Sequence, residues 1–259
     1  MSNAHIHFRV ARSRDELEQC FGLVYQEWIR SNYIPEGTPL RYSIYNAIPT
    51  TVTFAGFYDD ELLMTATLII DGPIGMPIGV IFPEKTDFLR ATDKKLAEVS
   101  MLAFDSKKTT QLKPMERISL LLDLFYTIFV YSQTQNVEML LAKVHPKHAS
   151  SYERLHFKDF EDLRENTFVQ NMSVTGKFLD ITELTRLCKN TPNEFPCDHF
   201  MRTPTEQELA NLTSPHQYSV DDFRYFFVER LPILKQCSPE QFAQLELYYP
   251  KYNLRALIS

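Results

Sequence analysis

Glu98 stands in the strand-like stretch Lys95–Phe104, among Leu96, Val99 and Leu102. A carboxylate in apolar surroundings is partly desolvated, which raises its pKa toward neutrality and suits it to receive a proton. The plainer reading is a surface or salt-bridged strand glutamate. Ser100 projects to the same face two residues on; it either orients a substrate or is a small strand residue facing a helix. The segment Asp105–Arg117 carries Lys107, Lys108, Lys113 and Arg117 and no glycine. A few lysines usually mean a solvated basic loop; at the mouth of a site they would steer an acidic partner. His145 and His148 follow the apolar run Val137–Val144 and read as ligand contacts or as helix caps. Cys188, Cys197 and His199 include metal-donor types, but no CxxC pair accompanies them and no metal is expected.

The elements that must position these groups follow from periodicity. Phe8–Arg12 reads as a strand and Asp15–Tyr33 as an amphipathic helix capped by Ser13, with Glu16 completing a capping box. Thr50–Tyr58 and Glu61–Ile70 form a hairpin about Asp59-Asp60. Residues Asp71–Pro83 are an apolar loop holding Gly72, Gly75 and Gly79, and Glu84–Ala91 is a short helix. The strand Lys95–Phe104, a long helix Pro114–Gln133 and the strand Val137–Val144 form a crossover unit with parallel strands. His148–Leu155 reads as a short helix, and Phe157–Phe160 and Thr167–Ile181 as closing strands. Ligands of such sheets sit beyond the strands' C-terminal ends, beside Glu98 and the lysine-bearing loop. After Ile181 the pattern is helical, with capped starts expected at Thr203 and Ser238. The division is a core of residues 1–182 and a helical extension, 183–259.

Composition narrows the function. A net charge of −6 without a basic run argues against nucleic-acid binding. The longest apolar stretch, Ile118–Tyr131, is interrupted by Asp123 and is too short to span a membrane. The N-terminus lacks a signal-peptide core. Four cysteines in no recognisable framework suit a reduced, cytoplasmic protein. The chain has seven glycines, where average usage predicts roughly eighteen.

Certain phrases carry a resemblance. Ser151-Tyr152-Glu153-Arg154-Leu155-His156-Phe157 resembles the Tyr-Glu-x-Leu-Gly-Phe turn of GNAT-fold acyltransferases, with His156 in place of the glycine. Leu40-Arg41-Tyr42, Ile48–Phe54, Asp71–Pro77, Leu89-Arg90, Ala97–Ala103 and His145–His148 are similar, in order and spacing, to the FeeM-like N-acyl amino acid synthases, relatives of the acyl-homoserine lactone synthases. The similarity spans roughly residues 8–182. It implies an α/β fold: a GNAT-like mixed central sheet flanked by helices, here with a helical C-terminal extension. It also implies transfer of a long fatty acyl chain from acyl carrier protein to the amino group of an amino acid or similar amine. Glu98 would be the base, helped by Ser100. Backbone N–H groups near Leu102 and Ala103 would hold the oxyanion, and Tyr152 would protonate the leaving thiol.

Ordinary GNAT enzymes cradle the coenzyme A pyrophosphate in a glycine-bearing loop at a helix N-terminus. The corresponding loop here has lysines instead. That suits the single phosphodiester of a phosphopantetheine arm on an acidic carrier, docked by Lys107, Lys108, Lys113 and Arg117. No tightly bound cofactor is implied; the donor is the carrier thioester, or acyl-coenzyme A. Ile74, Met76 and Ile78 of the apolar loop, with Leu121, Phe125 and Phe129 of the long helix, are the candidates to line an acyl tunnel; plain core is the other reading. Related lactone synthases carry arginine where Met101 stands, which leaves the acceptor open. The rivals are an acetyl-coenzyme A-dependent acetyltransferase and a non-catalytic acyl-binding module.

Overall fold

The computed structural model describes residues 6–110, 112–169 and 172–258. Strand β1 (Ile6–Val10) leads into helix α1 (Arg14–Arg30), which begins where the Ser13 hydroxyl accepts the Glu16 N–H. The hairpin β2 (Val52–Tyr58) and β3 (Glu61–Ile70) turns at Asp59, whose φ of 50° suits a short polar residue. The apolar loop winds into α2 (Pro77–Ile81) and α3 (Pro83–Arg90), each opened by a proline that needs no N–H partner. Then come β4 (Leu96–Phe104), the single-turn α4 (Ser106–Thr109) and the long α5 (Pro114–Thr134). Strand β5 (Met139–Val144), α6 (Ala149–Arg154), β6 (Lys158–Glu165) and β7 (Ser173–Asp180) complete the sheet.

The seven strands order as β1-β2-β3-β4-β5-β7-β6. The pair β4–β5 is parallel, as the crossover through α5 requires, and the other pairs are antiparallel. One face packs on α1, α2 and the last helices; the other packs on α5 and α6.

The C-terminal part closes over both faces. Helices α7 (Ile181–Asn190) and α8 (Cys197–Phe200) send Leu184 and Phe200 into the α5 side, while α9 (Glu206–Asn211) lies near β1. Helix α10 (Val220–Arg224), a π-turn over Tyr225–Arg230, α11 (Ile233–Gln236), α12 (Pro239–Tyr248) and α13 (Leu254–Ile258) cover the α1 side. There Phe223, Phe226 and Phe227 are fully buried, and Phe226 lies edge-on to Phe21 and Tyr42. Of the expected capped starts, Ser238 caps α12 with Gln241, but the other cap is Thr205 with Glu208 rather than Thr203. Pro204 therefore precedes the helix instead of opening it.

The expectation of four reduced cysteines is corrected. The turn between α7 and α8 brings Cys188 and Cys197 to a Cα–Cα distance of 4.8 Å, and the two are joined in a disulfide. Cys20 and Cys237 are free. The bonded sulfurs are spent as metal donors, and His199 lies 3.2 Å from Asp123.

Candidate active site

Strands β4 and β5 pair only at Leu96–Met139, Ala97–Leu140 and Glu98–Leu141. Beyond Glu98 both continue, but apart. A bulge accompanies the splay: β3 pairs Thr67 with Ser100 and Thr65 with Ala103, and Met101 in the extra stretch has φ 52°. The bulge shifts the alternation. Ala97, Val99, Leu102 and Phe104 face α5, whereas Leu96, Met101 and Ala103 belong to the opposite face. The opened strands frame a cleft of about 680 Å³, walled by residues 98–104 of β4, Lys143 and Val144 of β5, the following His145, Ile118 and Leu121 of α5, Tyr152 of α6, and Trp28 and Tyr33.

Glu98 lies at the vertex and is fully buried. One carboxylate oxygen takes the Nζ of Lys143, and the other takes the Ile78 N–H at 2.6 Å. Ser100 also hydrogen-bonds to it. Burial raises the Glu98 pKa, against the pull of Lys143 and these hydrogen bonds. Burial lowers the Lys143 pKa, against the attraction of Glu98. Each partner's charged form is thus destabilised by burial and sustained by the other. Tyr45 is near enough to sense Glu98; burial, and then that charge, push its phenol up to about 12. The side chain of Lys143 is 9% exposed against 1% for Glu98, so lysine is the partner turned to the cleft.

Lys143 did not figure among the sequence candidates. Its signal was present: a lysine in the otherwise apolar strand Met139–Val144. Nothing local, however, connects it with Glu98, forty-five residues away.

Tyr152 packs edge-on against Phe125 and Phe157 and lines the cleft; burial raises its pKa and keeps the phenol protonated. His145 both caps a turn, accepting the Lys147 N–H at 3.1 Å, and lines the cleft, as does His148. Burial and Lys147 lower both imidazole pKa values. Leu102 and Ala103 lie where β4 has left β5's ladder.

At the other end, Arg117 lines the cleft and donates to the carbonyls of Thr110 and Leu112 at 2.8 and 3.2 Å. Lys107 and Lys113 are exposed, and Lys108 turns to Glu61 at 2.9 Å. Four N–H groups of this entrance are already taken by carboxylates. Ser106 N–H goes to Glu27 at 3.1 Å, Lys107 and Lys108 N–H go to Asp105 at 3.0 and 3.1 Å, and Lys113 N–H goes to Glu116 at 2.8 Å. Carboxylates occupy positions where a pyrophosphate would need bare donors.

The six residues expected to line one acyl tunnel are not brought together. Ile74, Met76 and Ile78 pack on the α1 face; Phe125 and Phe129 are core on the α5 face, where Phe129 meets Phe200. The sheet separates the two sets. Leu121 alone of the six borders the cleft.

A seven-stranded mixed sheet opened by splay and bulge between its parallel strands, with helices on both faces, is the GNAT architecture. The solved structure of FeeM, an N-acyl amino acid synthase from uncultured soil microbes, is 24% identical, with a TM-score of 0.62 over 71% of this chain and 94% of that one. The acyl-homoserine lactone synthase LasI is 12% identical, with a TM-score of 0.50 over 67% of this chain and 90% of that one. An N-acetyltransferase from Staphylococcus aureus Mu50 is 14% identical, with a TM-score of 0.44 over 69% of this chain and 99% of that one. No curated protein matches the chain. The sequence profile of N-acyl amino acid synthase FeeM matches residues 19–177, and the chain belongs to that family. It is an N-acyltransferase. Among the described residues, no helix is long and apolar enough to cross a membrane.

Proposed function

We propose that this acyltransferase moves a long-chain fatty acyl group from the phosphopantetheine thioester of an acyl carrier protein to the amino group of an amino acid, in the cytoplasm. The observation that carries the reading is the Glu98–Lys143 pair at the vertex of a largely apolar cleft. The thioester enters between β4 and β5, its chain against Ile118, Leu121 and Leu102. Lys143 passes its proton to Glu98 and, as the neutral amine, removes one from the acceptor's ammonium group. The freed nitrogen attacks the thioester carbon, forming the C–N bond. Negative charge on the carbonyl oxygen is held by N–H groups of Leu102 or Ala103, a contribution worth about 10²–10³ in rate per donor. The carbonyl reforms, the C–S bond breaks, the sulfur takes the Tyr152 proton, and the phenolate takes the second proton from the nitrogen, leaving a neutral amide.

The carrier is favoured over coenzyme A by the carboxylates of Glu27 and Asp105 on the entrance N–H groups. They would repel a pyrophosphate, while exposed Lys107 and Lys113 offer charge to an acidic protein. The test offers purified enzyme an amino-acid mixture with palmitoyl-acyl carrier protein, palmitoyl-coenzyme A or acetyl-coenzyme A, with mass spectrometry of the products. N-palmitoyl amino acids from the carrier thioester support the reading. Turnover of acetyl-coenzyme A alone overturns it, and binding of palmitoyl carrier without turnover shows an acyl-binding module.

A further inference from the structure

Seven arginines among the described residues are half-buried: Arg9, Arg14, Arg41, Arg90, Arg164, Arg202 and Arg230. Six of them lie within 4.0 Å of a carboxylate, on Glu16, Asp222, Asp71, Glu84, Glu208 and Glu18 respectively. Arg41 has no such partner among the described residues. Its Nη2 donates to the Phe168 carbonyl at 2.7 Å, its guanidinium lies 5.1 Å from the Trp28 ring centre, and its Nε is buried without a hydrogen bond. A guanidinium has five donors and stays charged, and burying it unpaired is costly. Burial displaces its pKa downward and no carboxylate pulls the other way. The chain maintains this cation at a cost that its folding does not recover internally.

Arg41 faces a second cleft of about 520 Å³, bordered also by Tyr25, Ile34, Leu40 and Phe168. This cleft and the first share Tyr33 and Asn166 as a common wall. The Tyr33 hydroxyl is likewise buried without a partner. One residue joins the two sites: Phe168 offers its carbonyl to Arg41, while its ring centre lies 5.6 Å from the Nζ of Lys143. An unpaired cation and an unpaired hydroxyl are therefore held one side chain away from the proton-accepting pair.

We infer that the second cleft is the acceptor site, and that Arg41, with the Tyr33 hydroxyl, binds the acceptor's free carboxylate. This rests on the N-acyl transfer proposed above and adds to it the residue that selects an amino acid over an amine, amide or peptide side chain. The guanidinium fork matches a carboxylate, and seating it there directs the amino group of the same molecule toward Lys143. Trp28 and Phe168 hold the guanidinium in place before the substrate arrives.

The test acylates the twenty protein amino acids, as one panel, beside the same panel as α-amides, with palmitoyl-acyl carrier protein as donor. The wild type acylates the acids with a KM about 100-fold lower than the amides, the scale of one charged hydrogen-bonding partner. Arg41→Gln raises the KM for the preferred acid about 100-fold and leaves the amide within twofold. Arg41→Lys, which keeps charge without the fork, recovers about a tenth of the loss, and Tyr33→Phe raises the acid's KM about fivefold. Equal losses on acid and amide in Arg41→Gln, with a lowered melting temperature, show a merely structural arginine and overturn the inference. Equal acylation of both panels by the wild type overturns it too, while N-acyl transfer stands. Acylation of neither panel by an enzyme that binds the carrier thioester brings down both.

Discussion

Lys143 and Lys177 are on neighbouring antiparallel strands, and both side chains are buried. Their partners differ. Lys177 pairs with Glu153 at 3.0 Å and Asp159 at 2.8 Å, carboxylates 55% and 62% exposed. Burial works against its charge, but the hydrogen bonds it donates to Asp159 and Glu153 prevail and its pKa is raised. Lys143 pairs with one fully buried carboxylate and its pKa is lowered. Water reaches the carboxylates around Lys177 and keeps that cation fixed. Glu98 is itself buried, so here the same two residue types form a pair whose ionised state is destabilised at both partners. Burial of the lysine is common to both; burial of the carboxylate separates chemistry from architecture.

The largest effect should fall on the buried pair. Glu98→Gln should lower kcat/KM for acyl transfer about 10²–10⁴-fold per folded molecule, the usual worth of a positioned base; a variant at wild-type rate removes Glu98 from the mechanism. Lys143→Met leaves the carboxylate buried without its cation and should cost about 3–5 kcal/mol in denaturant unfolding as well as activity. Lys177→Met should reverse that balance: about 2–3 kcal/mol of stability lost, with turnover per folded molecule unchanged. Loss of turnover there would erase the distinction between the lysines.

The pH profile sharpens it. Glu98 holds its proton to higher pH than a carboxyl of ordinary pKa 4.5, so its base form disappears as pH falls through that raised value. The acid limb of kcat/KM should therefore lie above pH 4.5 and vanish in Glu98→Gln. For Lys177, whose folded pKa is raised, the stability contribution is complete below the unfolded value and disappears as pH rises through the folded one; urea unfolding between neutral pH and pH 11 should show the loss in wild type and not in Lys177→Met. Smallest of all, Lys107→Glu with Lys113→Glu should raise the carrier's KM about three- to tenfold at low salt and little at high salt.

What the sequence disclosed was local. Ser13, Pro114 and Ser238 announce helix starts because a cap depends on residues three or four apart. The crossover's parallel pair follows from an intervening helix. Glu98 stands out because charge in an apolar strand does. Lys143 and Arg41 did not stand out, since a buried lysine's partner and an arginine's lack of one are facts about distant segments. The acyl candidates failed to converge for a related reason: periodicity identifies an apolar stripe but not the face of the sheet it covers. The helices α2 and α4, at five and four residues, are too short for a period to register.

The bulge at Met101 has a genetic consequence. Between Thr67 and Thr65 of β3 stands one residue; between Ser100 and Ala103 of β4 stand two. The cleft therefore depends on a surplus of one amino acid. Deleting the Met101 codon would restore an even ladder, with Leu102 alone opposite Ala66 on the α5 face. A lineage could in this way keep the sheet, the helices and the stability, and still lose its enzyme in one mutational event.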